Sequence, residues 1–165
     1  MAAISMPKNI SLLNALATLA PGITFREHDE FYWSPQHKTV YYRSPASDDD
    51  RRLLLHEVGH ALLDHREYMN DLQLLDFERA AWQEARDLCD RQPLLDVEIP
   101  DDFIEDHLDT YREWLFVRSR CPTCNLNGIQ SRQTEYSCLN CNTQWRVNEA
   151  RTCRLKRQRL TSRTR

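Results

Sequence analysis

The sequence predicts an α+β protein: a small antiparallel sheet packed on helices, with a helix carrying a His-Glu-x-x-His pattern at the centre, followed by a smaller cysteine-rich domain. Three observations predict this. Apolar residues recur at helical spacing in four segments, β-branched and aromatic residues cluster between turn signals over residues 23–43, and four of the six cysteines form two Cys-x-x-Cys pairs late in the chain.

At 165 residues the chain has room for a domain of about 110 residues and a small appendage. The expected boundaries are 1–118, 119–150 and a basic tail, 151–165, expected to be disordered. Hydrophobic content of 41% with 28% charged residues is that of a soluble globular chain, and three glycines against seven prolines leave little for long flexible linkers. Net charge is −3, unevenly spread: the last fifteen residues carry seven Lys or Arg and no acid. No apolar run has the length of a membrane span, and only Lys8 precedes the first apolar stretch, a poor secretory signal. A cytoplasmic location follows as the expectation, and there paired cysteines point to metal.

The first element is a short amphipathic helix over residues 9–20, with Leu12, Leu13, Leu16 and Leu19 on one side and Pro21-Gly22 as its stop. Strands are expected at Ile23–Glu27, Glu30–Trp33 and Lys38–Arg43, with Ser34-Pro35 as the clearest turn. The third strand, Lys38-Thr-Val-Tyr-Tyr-Arg43, is expected at the sheet edge, where a peptide can add as another strand.

Ser47 opens the next helix as its N-cap, with Asp48, Asp49 and Asp50 in the first turn suited to the positive end of the dipole. His56 and His60 are four residues apart, so at about 100° per residue they share a face and can hold one zinc ion. Glu57 lies beside the first histidine, where a carboxylate can take a proton from water activated by that ion. Gly59 weakens the helix by about 1 kcal/mol relative to Ala, which is tolerable if another backbone comes close there; the alternative is an incidental glycine.

In the helix Asp71–Arg91, Leu74, Leu75, Ala81, Trp82, Ala85 and Cys89 lie within about 60° of Glu78. An unpaired carboxylate in that apolar stripe is costly, so Glu78 is the first candidate for a third ligand, with an ion-paired carboxylate as its plain alternative. His65 competes for the role. On a continued helix it points about 140° away from the metal face, and Ala61 to Asp64 holds no glycine to break the helix. His65 is therefore expected to cap the helix or to stand near the site as a proton donor. Tyr68 and His65 are the candidates for stabilising a transition state.

A last helix starts at Asp101, with Phe103, Ile104, Leu108, Tyr111, Trp114, Leu115 and Phe116 on its apolar side. Cys121-Pro-Thr-Cys124 and Cys138-Leu-Asn-Cys141 then place four thiolates within reach of one tetrahedral ion, the pattern of a structural zinc ribbon. Such a closed site leaves no position for water. Two zinc ions are thus expected, one catalytic and one structural. Ribbons bind nucleic acid or protein alike, and the basic segment tilts this one toward nucleic acid, with Arg151, Arg154, Lys156, Arg157 and Arg159 as phosphate contacts and Trp145 as a stacking face. A solubilising tail is the alternative.

The run from Leu54 to His65, Leu-Leu-His-Glu-Val-Gly-His-Ala-Leu-Leu-Asp-His, preceded by Thr-Val-Tyr-Tyr and followed by Glu78-Arg-Ala-Ala-Trp-Gln-Glu-Ala85, resembles the ImmA/IrrE family of zinc metallopeptidases. The resemblance covers roughly residues 10–118. It implies a gluzincin-like fold, zinc on His56, His60 and Glu78, Glu57 as catalytic base, and cleavage of a regulatory or repressor-like protein. Glu84 stands where that family commonly has an aromatic residue, and the ribbon is not part of the family core. A ribbon after such a domain is also similar to the SprT-like DNA-associated proteases, which expect a later third histidine. A third reading is a nucleic-acid-binding or regulatory protein whose peptidase-like domain is not catalytic.

Overall fold

The computed structural model describes residues 8–149 and 155–160. Its elements, in chain order, are α1 (Lys8–Leu19), β1 (Thr24–Glu27), β2 (Tyr32–Ser34), β3 (Thr39–Tyr42), α2 (Asp48–Leu62), α3 (Asp71–Arg91), a 3-10 turn (Pro93–Leu95), α4 (Asp101–Ser119), β4 (Ile129–Arg132), β5 (Glu135–Ser137), β6 (Gln144–Val147) and β7 (Arg157–Arg159). The class is α+β. Among the described residues no helix is long and apolar enough to cross a membrane.

Residue contacts divide the chain into two compact units, one made of the chain up to Arg66 with Phe77–Ile104, the other of Glu67–Asp76 with the chain from Glu105 onward. The division expected at residues 118–119 thus falls elsewhere. The first turn of α3 and most of α4 pack with the cysteine-bearing sheet, a long-range choice that local pattern does not encode.

In the first unit the sheet order is β1-β3-β2, with β1 parallel and β2 antiparallel to β3. This corrects two expectations. The sheet is mixed, because residues 28–31 carry the chain across the end of β3 and return it on the far side, as the pairings Glu27 with Tyr42 and Tyr32 with Tyr41 require. Consequently β3 is the central strand, flanked on both sides, and no peptide can add to residues 38–43. Buried Leu12, Leu16, Val40, Leu54, Leu55, Val58, Ala81, Trp82, Ala85 and Leu95 form the core of this unit.

Helix α2 starts where the sequence places it. Ser47 is the N-cap, its hydroxyl accepts from the Asp50 N–H at 3.1 Å, and the Asp50 carboxylate accepts from the N–H groups of Ala46 and Ser47. Such a reciprocal cap satisfies donors that the first helical turn cannot satisfy itself. The helix ends at Leu63, followed by Asp64 in the left-handed region at φ 49°. The N–H of Asp64 then bonds the carbonyl of Ala61, and that of His65 bonds the carbonyl of His60 at 3.0 Å. These two bonds make a Schellman closure with aspartate where glycine is usual.

The second unit carries the sheet β4-β5-β6-β7, antiparallel throughout. Its core holds Cys121, Tyr136, Cys138, Trp145 and Val147. A Cβ on Gly128 would lie 2.3 Å from the Trp145 ring, so only glycine fits there. Strand β7 corrects the expectation of a disordered tail for residues 157–159: they pair with β6, and Arg157 donates to the carbonyl of Arg120 at 2.8 Å. Arg151, Cys153 and Arg154 lie outside the described residues.

Candidate metal centres

The first centre grows from the crossing of α2 and α3. Gly59 lies where the Ala81 backbone comes close, and this lets α3 present Glu78 to the histidine face of α2. His56 and Glu78 are both buried, at 5% and 6% exposure, which an isolated carboxylate or imidazole could not sustain without partners. The partners are each other. His56 Nε2 is 3.1 Å from Glu78 Oε2, His60 Nε2 is 3.1 Å from His56 Nε2, and His60 Nε2 is 3.6 Å from Glu78 Oε2.

Three ligand atoms around a tetrahedral zinc at its usual bond lengths stand about 3.3 Å apart. The observed triangle has that size, so His56, His60 and Glu78 could hold a metal ion through two Nε2 atoms and one carboxylate oxygen. Burial raises the Glu78 pKa, but hydrogen bonds from His56 and His60 outweigh it and hold the carboxyl below its ordinary range. For His60, burial lowers the pKa, and Glu78 more than reverses this. The His56 ring also stacks on Trp82, centroids 4.1 Å apart, which fixes its plane.

Glu57 stands outside this triangle. Its Oε2 accepts from the backbone N–H of Trp33 in β2 at 2.8 Å, leaving the half-buried carboxylate anchored to an edge strand. Trp33 also donates its indole N–H to the carbonyl of His65 at 2.9 Å. Sequence reading missed Trp33 altogether, because nothing local links it to residues 24 and 32 positions later.

His65 is not in the ligand set. The Schellman turn brings it back over the helix end, where its Nδ1 lies 2.8 Å from His60 Nδ1 and its ring stacks on Phe77 at 4.2 Å. Desolvation, with the nearby His60 charge adding to it, pushes its pKa down to about 4. Its backbone N–H closes the helix. Tyr68 belongs to the second unit. There burial raises its pKa, and the Arg118 guanidinium beside it offsets part of that rise.

In the second centre the two Cys-x-x-Cys turns are built alike. Each pair is followed by an asparagine at positive φ, Asn125 at 61° and Asn142 at 57°, whose N–H returns to the carbonyl of the first cysteine. Asparagine tolerates that backbone, and its recurrence after both pairs is a signal the sequence carried unread. Cys121 Sγ stands 3.6 Å from Cys141 Sγ, and Cys124 Sγ 3.5 Å from Cys138 Sγ. A tetrahedral ion with zinc–sulfur bonds of about 2.3 Å spaces its sulfurs by about 3.8 Å, so these four could also hold a metal.

Trp145 corrects another expectation. Its ring is fully buried, stacked on Tyr136 at 5.6 Å, with its indole N–H donated to the Arg118 carbonyl, so no base can stack on it. Alternation along β6 turns Trp145 and Val147 inward together. Arg157 and Arg159 spend guanidinium donors on the carbonyls of Arg120 and Pro122, while Lys156 is exposed. Beneath this sheet Arg118, with no exposed surface, lies over the rings of Trp114 and Tyr136, and the Tyr136 hydroxyl donates to Asp71.

In comparisons with protein-family models, curated proteins and solved structures, nothing matches the chain.

Proposed function

We propose that the chain is a zinc-dependent endopeptidase of the ImmA/IrrE type, acting on a protein substrate of regulatory or repressor-like kind. The observation that carries this reading is the triangle of His56 Nε2, His60 Nε2 and Glu78 Oε2, with a carboxylate, Glu57, one residue along the same helix. Zinc bound there supplies a Lewis acid that brings the ionisation of water toward neutral pH. Glu57 takes the proton of the attacking water and returns it to the departing amine. The Trp33 N–H holds one Glu57 oxygen in place and leaves the other for that exchange. His56 and His60 would each offer an Nε2 lone pair to the ion, and Glu78 would supply a negative charge offsetting part of the ion's own.

The four cysteines are read as a structural zinc site, since a closed set of four thiolates excludes water. Zinc per chain should be about two in the wild type and about one in both His56→Ala and Cys121→Ser. Glu57→Gln keeps an acceptor for Trp33 and should retain both ions, yet leave a co-expressed repressor-like substrate uncut. A chain holding one zinc ion regardless of His56→Ala would overturn the assignment. Wild type and Glu57→Gln behaving alike toward substrate would instead favour a binding or regulatory protein.

A further inference from the structure

The geometry points to His65 as the positioning residue that fixes the tautomer of His60 in its metal-binding form, a role resting on the reading of His56, His60 and Glu78 as a zinc site. His60 turns Nε2 toward His56 and Glu78, so Nε2 must offer a lone pair to a metal and the ring's single proton must sit on Nδ1. In that form Nδ1 is a partly buried donor needing an acceptor. His65 Nδ1 lies 2.8 Å away in line to accept from it.

His65 can accept there only if its own proton is on Nε2, which leaves the pair with one proton between the two Nδ1 atoms, donated by His60. The reverse arrangement would put a hydrogen on His60 Nε2, pointing into the ligand triangle and blocking it. Ligating histidines in general pass their second N–H to a carboxylate, carbonyl or water. Here a third imidazole takes that place.

Three contacts hold His65 for the task. Its ring lies flat on Phe77, 9° from parallel, its carbonyl receives the Trp33 indole N–H, and its N–H closes on the His60 carbonyl. The same two residues are therefore joined twice, through backbone and through rings. Trp33 then contacts both Glu57 and His65, so one edge-strand residue anchors the proposed base and the residue that orients a ligand.

The test uses the full chain with zinc retained at the four cysteines, and reads zinc affinity at the other site by chelator competition. His65→Leu removes the acceptor and should weaken zinc binding about 10- to 100-fold. His65→Asn offers an amide oxygen near the position of Nδ1 and should restore most of that loss. Undiminished affinity in His65→Leu, or equal losses in both variants, would overturn the proposal. Nitrogen-15 NMR of zinc-loaded wild type gives a second reading that needs no variant to fold: a scalar coupling between the Nδ1 atoms of His60 and His65 is expected, and its absence overturns the hydrogen bond. If wild type takes up no zinc beyond the cysteine site, or His60→Ala loses none, the underlying zinc-site reading fails and this inference with it. That outcome differs from a wild type that binds zinc and ignores His65.

Discussion

A Cβ built on Gly59 would stand 2.3 Å from the carbonyl oxygen of Ala81 and 3.0 Å from its carbonyl carbon. Both atoms are backbone of α3, so no side chain can swing aside. Gly59→Ala should gain up to about 1 kcal/mol of helix propensity. It must also push α3 outward, and overpacking of this kind costs about 1–3 kcal/mol. The net sign is destabilising. Because Ala81 lies three residues after Glu78, the same displacement should open the ligand triangle. Urea denaturation should show a lower midpoint for Gly59→Ala, and its zinc affinity at the His56 site should fall further than stability alone requires.

Asp64 holds the turn that brings His65 to His60, at φ 49°. A left-handed backbone costs an ordinary L-residue about 1–2 kcal/mol, less for aspartate and nothing for glycine. Asp64→Gly should therefore be neutral or stabilising, since its exposed ion pair with Arg66 is worth little. Asp64→Val should destabilise by about 1–2 kcal/mol, and should also loosen the contact between the two rings. Thermal unfolding ranks the three chains. A valine variant as stable as wild type would show that the turn is not set by this residue.

Asp64 also marks where sequence reading stopped short. Periodicity placed Glu78 on the buried face of α3, and cap chemistry placed Ser47 at the start of α2, because both depend on neighbours within one or two turns. The position of His65 depends on the helix ending at Asp64, and aspartate, unlike glycine, is only a weak local signal for a left-handed residue. The place of β3 was illegible for a different reason. Its parallel partner β1 is fifteen residues away, and alternation along a strand says nothing of which strand lies beside it. Trp145 was misjudged because an aromatic residue before a basic segment has the same local pattern whether it faces solvent or a small core.

Asp50 makes stability depend on acid pH. Burial pushes its pKa up, but the Arg43 guanidinium and the Ala46 and Ser47 N–H groups outweigh this and hold the carboxyl below its ordinary value. A carboxyl depressed in the folded state contributes stability that is complete above its unfolded pKa, near 4, and is lost as pH falls through the folded value. Wild type should thus lose stability below about pH 4 more steeply than Asp50→Asn, and the two curves should converge at low pH. At neutral pH, Asp50→Ala should cost about 1–2 kcal/mol through the lost cap. Denaturant midpoints measured from pH 3 to pH 7 decide this, and parallel curves would remove Asp50 from the account.

The four cysteines carry the last expectation, because the apolar core of the sheet around them is small. Its core cluster is Cys121, Tyr136, Cys138, Trp145 and Val147, and two of those five are the proposed ligands themselves. So small an apolar core seldom sustains a fold without a metal or a disulfide. Without an ion, the four thiols keep only weak sulfur contacts with one another. Stripping metal with a chelator should therefore expose the amides of Tyr136, Trp145 and Val147 to hydrogen exchange and abolish the near-ultraviolet signal of Trp145. Cys138→Ser should reproduce both changes without chelator. Readdition of zinc to the stripped wild type should restore them, since binding free energy and folding free energy are the same quantity in a small metal-held sheet. Amide protection that survives chelation at all three residues would mean that the buried Arg118, packed between Trp114 and Tyr136, holds the sheet without the ion.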